Sequence, residues 1–557
     1  MRAVAVLGLL CAVTFVAGLG RLAIQDSDEA FYAEAGREMV ASGDWTTPQY
    51  NFQPRLQKPI LFYWLVAGTY RAFGVTETAA RIWSALAGAS LAFVAFAAGR
   101  RWLGPGPGLL AGVVVATSFG LVPIARQALP DVPLTCFVTL AIWAGFEAFG
   151  APLPAPAGQP PATTRDPVKW LYLLAIALAL GMLTKGPVAV VLPLTALVPL
   201  LWWERRAPRS WALSRGHLAL AAGLFMLIAA PWYVAVTRAQ GAAYLHQFFV
   251  GENVDRFVTS GANEWRGWFY VPILAGGLLP WSGFGALWIQ PALARLRGRT
   301  PWMPVERRLV AWTLGPLIFF MVSIGSQPRY ILPCLVPLAI LLARTMWTRA
   351  AAAPGSDRPF TIAVVLGGAP VVLIGWLALR AQPMFAAATP GWSSTPAILL
   401  VAFGLVMMAA GFLRRRSAVP WIMAGCAAGA LVVFERSVQA AGRPEPVEVL
   451  ADAIRAHAPV PAACACGAFA RSLNFYTHLP TVVAATDEEV VQFLARPQPV
   501  LAAIDSRTLE RIERATGRSY PRLADVSYLD AGVRQRPGTL FRPDLEHVQR
   551  VVLIRSQ

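Results

Sequence analysis

Carboxylates stand at two separated turns of a chain in which only 14% of the residues are charged. Asp28 and Glu29 belong to QDSDEAFYAEAGREMVASGDW, residues 25–45, which directly follows the first apolar run and is the densest acidic segment. Asp131 lies in RQALPDVPL, residues 126–134. Two carboxylates on separate turns can meet in space, where such groups act as a general base, orient an acceptor or hold a cation.

Basic side chains in four further polar segments suit the binding of phosphate oxygens. The segments are RLQKP, LTKGP, HQFFVGENVDRF and SQPRYILP, and their candidate cations are Lys58, Lys185, Arg256 and Arg329. An arginine can bind a phosphate through two parallel hydrogen bonds. Tyr330 is a further candidate for binding the phosphate, and the candidates for the acceptor side or the pocket are Arg55, Glu29, Glu252 and Gln327.

Composition places this chain among multi-spanning membrane proteins. It has 557 residues, of which 56% are hydrophobic, and its mean hydropathy is +0.52. A soluble domain of this size carries about 25% charged residues, so the low charge and the 20 Trp and 28 Phe indicate a polytopic α-helical fold. The net charge of +18 does not indicate a nucleic-acid partner, because the basic residues lie in short loops between apolar runs, where they report membrane orientation.

Thirteen apolar segments are candidates for transmembrane helices, which need about 20 apolar residues. They are 4–24, 79–99, 107–127, 130–149, 169–184, 186–203, 216–236, 268–290, 309–325, 329–347, 360–380, 396–413 and 419–435. The segment KPILFYWLVAGTYRAFG (58–74) is apolar but short, and we expect a re-entrant or interfacial helix there. The first segment lacks a good small-residue cleavage site before the acidic cluster, which favours an uncleaved helix over a signal peptide.

Basic residues alternate between the loops as the positive-inside rule requires. With the N-terminus in the cytoplasm, the loops on that side are basic: 100–106, 150–168, 204–215, 291–308, 348–359 and 414–416. The opposite loops, 25–78, 237–267 and 381–395, are mixed or uncharged. The pattern predicts a multi-pass membrane protein with its C-terminus on the outer side.

Residues 437–557 differ from the membrane domain, 1–436, because polar and apolar residues alternate there and Pro is frequent. We expect strands at PVLAAID and VQRVVLIR, since these runs are apolar and rich in branched residues. We expect helices at DEEVVQFLAR, which has an acidic first turn, and at SRTLERIERATG, which Ser506 opens. Together these elements predict a small α/β domain on the outer face of the membrane.

On this topology, six polar clusters from distant parts of the chain lie at the same membrane face. An ionisable side chain at the membrane edge is costly unless it is paired or used, so the convergence predicts an active site. Carboxylates beside several cations, at the outward-facing edge of the membrane that the chain spans, suit a lipid-linked phosphate substrate. In such a site, cations stabilise charge on a leaving phosphate while a carboxylate activates the acceptor.

The polar segments resemble, in their order and character, the protein O-mannosyltransferase-like glycosyltransferases, and in particular the bacterial lipid A aminoarabinose transferases. The segments that carry the resemblance are DSDEAFYAEAGREMVASGDW, QKPILFYWL, RQALPDVPL, GMLTKGPVAVVLP, GENVDRF with GGLLPWS, and SQPRYILPCLVP. Each of these segments is a weak signal by itself, but six of them in this order are specific. The resemblance extends over essentially the whole chain.

The resemblance implies a GT-C architecture and a transfer with inversion of a sugar from polyprenyl phosphate, usually undecaprenyl phosphate in bacteria. The acceptor would lie at the periplasmic face. Asp28 matches the family's catalytic aspartate, and Asp131 matches its second aspartate. Lys58 matches the lysine that contacts the donor phosphate. Arg256 and the segment Gln327–Tyr330 match positions that line the donor pocket.

Two positions depart from the pattern of the aminoarabinose transferases. An acidic residue precedes the lysine in those enzymes, where this chain has Gln57, and their histidine near Asn253 is missing from ENVDRF. Both changes remove plausible metal ligands, so the sequence shows no evident ligands for a divalent metal. The sugar stays open between hexoses and pentoses, and the acceptor stays open between a lipid such as lipid A, a glycan and a protein.

Each candidate residue also has a structural interpretation, and the function has two alternatives. The aspartates can stabilise helix N-termini, the lysines can reach toward lipid headgroups, and Glu252 can pair with Arg256 one helical turn away. A transporter or flippase of lipid-linked sugars needs polar residues along a path through the bilayer, whereas the centres of these spans are almost purely apolar. A scaffold role would leave the converging charges unexplained.

Overall fold

The structure is a computed structural model, which describes the chain in eleven ranges. They are 1–154, 166–205, 213–255, 268–324, 327–351, 357–388, 392–439, 443–457, 463–466, 468–529 and 541–556. Helices dominate the chain up to residue 439, and a small sheet flanked by helices follows.

Helices follow one another from the N-terminus. They are α1 (Arg2–Cys11, continued by a π-helical turn, Ala12–Val16), α2 (Asp28–Ser42), α3 (Leu61–Phe73), α4 (Glu77–Leu103), α5 (Pro105–Ala116), α6 (Val122–Ala125), α7 (Asp131–Phe149), α8 (Pro167–Lys185), α9 (Val188–Trp203), α10 (Arg215–Gln240) and α11 (Ala243–His246). After a π-helical stretch, Gln247–Asp255, come α12 (Tyr270–Gly277), α13 (Ala286–Leu296), α14 (Pro304–Val322), α15 (Leu335–Ala350), α16 (Arg358–Arg380), α17 (Gln382–Ala388), α18 (Thr395–Ala410) and α19 (Val419–Gln439).

Seven helices of the described ranges are long and apolar enough to cross a membrane, and the pair α12 and Ser282–Leu296, which bends by 119°, is an eighth candidate. Four shorter apolar helices accompany them: Arg2–Val16, Pro105–Ala116, Val188–Trp203 and Thr395–Ala410. Each predicted apolar segment overlaps one of the helices. The polytopic helical fold is therefore confirmed, while thirteen membrane crossings remain a prediction.

Two of the helices end earlier than the apolar pattern predicted. The first helical segment stops at Val16, and Gly18 follows with a φ of 72°, a left-handed conformation that glycine adopts at little cost. The segment 107–127 is broken after Ala116, where the Thr117 hydroxyl donates to the Val113 carbonyl at 2.7 Å. Apolar content alone does not reveal either break, since both depend on backbone conformation.

Small residues let neighbouring helices approach closely. Where α4 and α5 pack together, a Cβ atom on Gly108 would lie 2.4 Å from the Arg100 nitrogen, so only glycine fits. Gly404 of α18 meets α16 in the same way, and a Cβ atom there would lie 2.9 Å from the Gly368 oxygen. These close crossings make the helical part a tightly packed body.

The segment between α1 and α4 is folded into two helices and a hairpin. Ser27 caps α2 by accepting a hydrogen bond from the Glu29 nitrogen at 3.3 Å, and Gly43 ends it with a φ of 74°. A hairpin of β1 (Gln49–Tyr50) and β2 (Gln53–Pro54) leads to α3, which is the helix expected at 58–74. Its place relative to a membrane remains a prediction.

A five-stranded sheet in the order β4-β3-β5-β7-β6 forms the centre of the C-terminal unit, residues 443–556. The parallel strands are β3 (Ala463–Cys466), β4 (Thr481–Ala484) and β5 (Leu501–Asp505), and β7 (Val548–Arg555) runs antiparallel to β5 and to β6 (Arg522–Leu529). The accompanying helices are α20 (Pro446–Ala456), α21 (Leu473–Thr477), α22 (Asp487–Leu494) and α23 (Ser506–Thr516).

The four elements predicted for this unit are confirmed as β5, β7, α22 and α23. One detail is different: Asp505 caps α23, because its carboxylate accepts from the Thr508 nitrogen at 3.1 Å, while Ser506 is the first helical residue. Helix α19 also continues to Gln439, beyond the predicted boundary at residue 436.

Candidate active site

Asp28 and Asp131 occupy the first residues of α2 and α7. One guanidinium joins them: Arg329 contacts Asp28 Oδ2 through Nη2, and its Nε lies 3.3 Å from Asp131 Oδ2. Arg329 comes from the 3₁₀ turn Pro328–Cys334 that precedes α15. The structure thus brings together two carboxylates and a cation from three distant polar segments.

Lys185 is the last residue of α8, and Gly186 follows with a φ of 85°. Its ammonium lies 2.5 Å from Asp131 Oδ1 and 4.6 Å from the centre of the Tyr330 ring. Both oxygens of Asp131 are therefore paired, one with Lys185 and one with Arg329. The lysine predicted as a phosphate ligand is held in place by a buried carboxylate and an aromatic face.

A cation from the C-terminal unit extends these contacts, since Arg471 Nη1 lies 3.5 Å from Asp28 Oδ1. The result is a row of alternating charge, Lys185–Asp131–Arg329–Asp28–Arg471, which we call the ion-pair row. From Asp131 onward, exposure rises along the row: the side chain is 5% exposed in Asp131, 23% in Arg329, 39% in Asp28 and 47% in Arg471. Asp28 is therefore the carboxylate of the row that solvent or a second substrate reaches more easily.

Lys58 pairs with Glu252 across the site. Its ammonium lies 3.1 Å from Glu252 Oε2, and both side chains are mostly buried. Lys58 also contributes to the electrostatic field at Asp131. Glu252 thus pairs with a residue of the first loop. Arg256, the partner expected one helical turn away, lies outside the described residues.

Arg55 stacks on aromatic rings beside the row. Its Cζ lies 3.9 Å from the centre of the Phe31 ring and 5.8 Å from that of Tyr50. Burial raises the pKa of the Tyr32 hydroxyl well above 10, and the charges of Asp131 and Asp28 raise it further while that of Arg55 opposes them. The charges of Arg55 and of both aspartates therefore act on the same tyrosine hydroxyl.

Glu29 does not join the row, although it follows Asp28 directly. It is fully buried, and its carboxylate forms two hydrogen bonds with Arg81 at 2.7 and 3.0 Å and accepts one from the Ala128 nitrogen at 2.8 Å. Consecutive helix residues point about 100° apart, so Glu29 faces the interior when Asp28 faces the row. The pocket role expected for Glu29 is replaced by a structural one.

In the segment Gln327–Tyr330, Tyr330 contributes its side chain to the site and Gln327 contributes its backbone. Tyr330 packs on Phe320 with ring centres 5.4 Å apart and lies against Lys185. Gln327 contributes a backbone contact, because its nitrogen donates to the Tyr270 hydroxyl at 3.3 Å while its side chain is exposed.

Metal ligands were left open by the sequence. In the part of the chain that the structure describes, no three His, Cys, Asp or Glu side chains lie together so that they could hold a metal ion. The site of the described residues is thus built from carboxylate–cation pairs.

Two arginines at this site were not among the candidates predicted from the sequence. Arg471 contacts Asp28 across 443 residues, and Arg81 contacts Glu29 across 52. Arg471 stands in a stretch, AFARSLNFY, whose composition is ordinary for a small α/β domain. Arg81 lies inside a predicted apolar span, where a buried cation itself signals an acidic partner.

Known proteins resemble this chain at the level of sequence. The family model for dolichyl-phosphate-mannose-protein mannosyltransferase matches residues 6–245. An undecaprenyl phosphate-alpha-4-amino-4-deoxy-L-arabinose arabinosyl transferase of Pseudomonas paraeruginosa is 35% identical over 327 residues, and one of Erwinia tasmaniensis is 33% identical over 337. The resemblance to these glycosyltransferases is confirmed. The matches span little more than half of each sequence: 58% of this chain and 55% of the first relative, and 60% and 58% for the second.

Solved structures of glycosyltransferases with the GT-C architecture share the fold of this chain. ArnT from Cupriavidus metallidurans, solved bound to undecaprenyl phosphate, has a TM-score of 0.76 at 22% identity, covering 100% of this chain and 97% of its own. The oligosaccharyltransferase AglB from Archaeoglobus fulgidus, solved with an inhibitory peptide and a dolichol-phosphate, has a TM-score of 0.51 at 11% identity over 90% of this chain and 69% of its own. The expected GT-C architecture is therefore confirmed.

Proposed function

We propose that this chain is an inverting glycosyltransferase of the bacterial inner membrane. It moves a sugar from a polyprenyl-phosphate donor, such as undecaprenyl phosphate, to an acceptor at the periplasmic face. The observation that carries the proposal is the ion-pair row, in which carboxylates alternate with cations where α7 begins and α8 ends. The names of the relatives and the undecaprenyl phosphate bound by ArnT support this class of donor.

The two carboxylates have different roles in this proposal. Asp28 is 39% exposed and takes the proton of the acceptor hydroxyl, whereas Asp131 is 5% exposed and orients Lys185 and Arg329. The acceptor oxygen bonds to the anomeric carbon from the side opposite to the phosphate. The bond between that carbon and the phosphate oxygen breaks at the same time, which inverts the configuration.

Cations of the site stabilise the phosphate that leaves. Lys58, Lys185 and Arg329 each face a carboxylate, and a donor phosphate offers them a second anionic partner. When Arg329 turns to the phosphate, Asp28 Oδ2 becomes available to the acceptor. Tyr330 supports this exchange, because the Lys185 ammonium lies over its ring in a cation–π contact. Arg256 is proposed as a further phosphate ligand because of its place in GENVDRF.

The membrane topology belongs to the same proposal. The chain crosses the membrane thirteen times with its N-terminus in the cytoplasm, and the active site and the C-terminal domain, 437–557, lie in the periplasm. The alternation of basic loops supports this orientation. The residues 1–436 form the transmembrane glycosyltransferase domain, with 25–78 as its first periplasmic loop.

The first sugar to test is 4-amino-4-deoxy-L-arabinose, because it is part of the names of the relatives. Gln57 and the surroundings of Asn253 are the positions at which the sugar preference of this chain is expected to differ from theirs. Lipid A, another lipid, a glycan or a protein is the acceptor, and the product identifies which of them it is.

The test is mass spectrometry of envelope lipids and glycans from cells with and without the chain. We expect a sugar-sized mass that depends on the wild-type protein and falls at least about 100-fold with Asp28→Asn, the range for loss of a general base. Asp131→Asn should also lower it, because Lys185 and Arg329 lose their shared partner.

Asp452→Asn is the matched control, since Asp452 is an exposed carboxylate that pairs with Arg455 of the same helix. A folded Asp28→Asn protein with the wild-type product level would contradict the catalytic role of Asp28. Movement of the lipid-linked sugar across vesicles without any product would instead support a transporter.

A further inference from the structure

The C-terminal unit is attached to the first loop by specific hydrogen bonds. Asn51 of the hairpin pairs twice with the backbone of Thr481: Nδ2 donates to the Thr481 oxygen at 2.9 Å, and the Thr481 nitrogen donates to Oδ1 at 2.8 Å. The Ile24 nitrogen donates to the Tyr476 hydroxyl at 2.8 Å. The loop that carries Asp28 and the C-terminal unit thus form a defined interface.

The backbone of Arg471 is held on both sides by this loop. Asp26 Oδ1 accepts from the Arg471 nitrogen at 2.7 Å and from the Ser472 nitrogen and hydroxyl at 2.8 and 3.1 Å. The Tyr50 hydroxyl donates to the Arg471 carbonyl at 3.1 Å. Because Asp26 stands two positions before Asp28, the same short segment fixes the backbone of Arg471 and carries the carboxylate that its side chain reaches.

The Arg471 guanidinium is guided toward Asp28 by an aromatic ring. Its Cζ lies 5.1 Å from the centre of the Phe31 ring, and Nη1 lies 3.5 Å from Asp28 Oδ1. The other oxygen of Asp28 contacts Arg329. The two carboxylate oxygens are therefore held by cations from different parts of the chain, one preceding α15 and one in the C-terminal unit.

We propose that Arg471 is a positioning residue for Asp28, so that the C-terminal unit completes the active site. The inference rests on the proposed function, because it assigns a task to the carboxylate that activates the acceptor. A carboxylate without a partner rotates about its side-chain bonds, whereas one held at one oxygen presents the lone pair of the other in a defined direction, and catalytic groups depend on such orientation. When Arg329 turns to the donor phosphate and frees Oδ2, the contact with Arg471 still holds Oδ1, so Asp28 keeps its direction toward the acceptor.

This role predicts a specific kinetic effect. Lys185 pairs with Asp131 and Lys58 pairs with Glu252, and neither of these pairs includes Asp28, so loss of Arg471 leaves these two proposed phosphate ligands in place. Arg471→Gln should lower kcat about tenfold and leave the KM for the donor within about twofold. Arg471→Lys should recover part of the loss, since a lysine supplies the charge without the planar guanidinium.

The experiment uses the full-length protein in vesicles made from envelopes of cells that lack the chain. The probe is the undecaprenyl-phosphate sugar fraction extracted from the same cells, and release of free undecaprenyl phosphate is followed by mass spectrometry. Arg455→Gln is the matched control, because Arg455 lies in the same unit and forms an exposed pair with Asp452 of the same helix. Asp26→Ala is a second test: it releases the backbone of Arg471 and should lower kcat in the same direction.

The outcomes separate the inference from the proposed function. No release by the wild-type protein would overturn both. Release by the wild type, its loss in Asp28→Asn and wild-type kcat in Arg471→Gln would overturn the inference alone. A general structural defect would lower the melting temperature and the amount of folded protein in both Arg471 variants, with no partial recovery of kcat by lysine, and would also count against it.

Discussion

Neighbouring residues of one helix have separate tasks at this site. Asp28 faces Arg329 and Arg471, while Glu29 points inward to Arg81 and to the Ala128 nitrogen. The side chains of Glu29 and Arg81 are 0% and 3% exposed, so their attraction acts in a medium where an unpaired charge is costly. Of these two acidic residues in sequence, Asp28 is thus the one proposed for chemistry, while Glu29 belongs to a buried ion pair.

Glu29→Gln should therefore destabilise the protein without removing the chemistry. It leaves the Arg81 charge buried without a counter-ion, which costs about 3–5 kcal/mol when one partner of a buried pair is removed. Thermal unfolding of the purified protein in detergent measures the loss, and the rate per folded molecule should stay close to that of the wild type. Asp28→Asn is the matched comparison, with the opposite outcome expected: a nearly unchanged melting temperature and little transfer.

Helix α2 also anchors the hairpin that contacts the C-terminal unit. Glu38 accepts from the Phe52 nitrogen at 3.0 and 3.2 Å through its two oxygens, and Phe52 has a φ of 61°, which is unfavourable for a residue with a side chain. Burial raises the pKa of Glu38 to about 7, and the hydrogen bond and charge of Glu34 raise it too, while the Phe52 amide and Arg37 lower it. The element that positions Asn51 therefore contains a carboxyl that titrates near neutral pH.

This shift predicts that stability falls as the pH rises from about 4.5 to 7. Between these values the folded protein keeps the proton of Glu38 and the unfolded chain has released it, so higher pH favours unfolding. Glu38→Gln cannot titrate, yet its amide oxygen can still accept from Phe52. Its melting temperature should therefore fall less than that of the wild type between pH 5 and pH 8, as measured by thermal unfolding over that range. Parallel pH dependences for the two proteins would refute this assignment.

At the scale of the whole molecule, a buried ion pair joins the first and last helices of the helical body. Arg126 lies in the same polar segment as Asp131, and its Nε is 3.0 Å from Glu435 Oε2 in α19. Its other nitrogens donate to the carbonyls of Thr14 and Ala17 at 3.2 and 3.0 Å. The beginning and end of the helical part thereby meet directly beside the turn that presents Asp131.

Arg126→Met should weaken the whole helical assembly. Glu435 would lose the ion-pair partner that the structure gives it, at a cost of about 3–5 kcal/mol. The measurement is thermal unfolding of the detergent-solubilised protein. The double variant Arg126→Met with Glu435→Gln should recover part of the stability, because it removes the uncompensated charge; a double variant less stable than the single one would contradict the argument.

The amino-acid sequence by itself determined the polytopic helical character, the approximate place of the helices and the set of polar segments. These follow from local rules: a bilayer-spanning helix needs a long apolar run, and charged residues at its edge need a use or a partner. The likeness of six ordered segments to known glycosyltransferases extended that reasoning to the GT-C fold. The elements of the C-terminal unit were also visible, because alternation and helix-start residues act within a few positions.

Only the tertiary structure decided which charges meet. Lys58 and Glu252 are 194 residues apart, and Arg471 and Asp28 are 443 apart, so no local pattern relates them. The different directions of Asp28 and Glu29 depend on how α2 packs against Arg81 of α4, which sequence spacing alone does not show. The site is an outcome of long-range packing, since electrostatic pairing depends on distances in space, and the fold alone sets those distances.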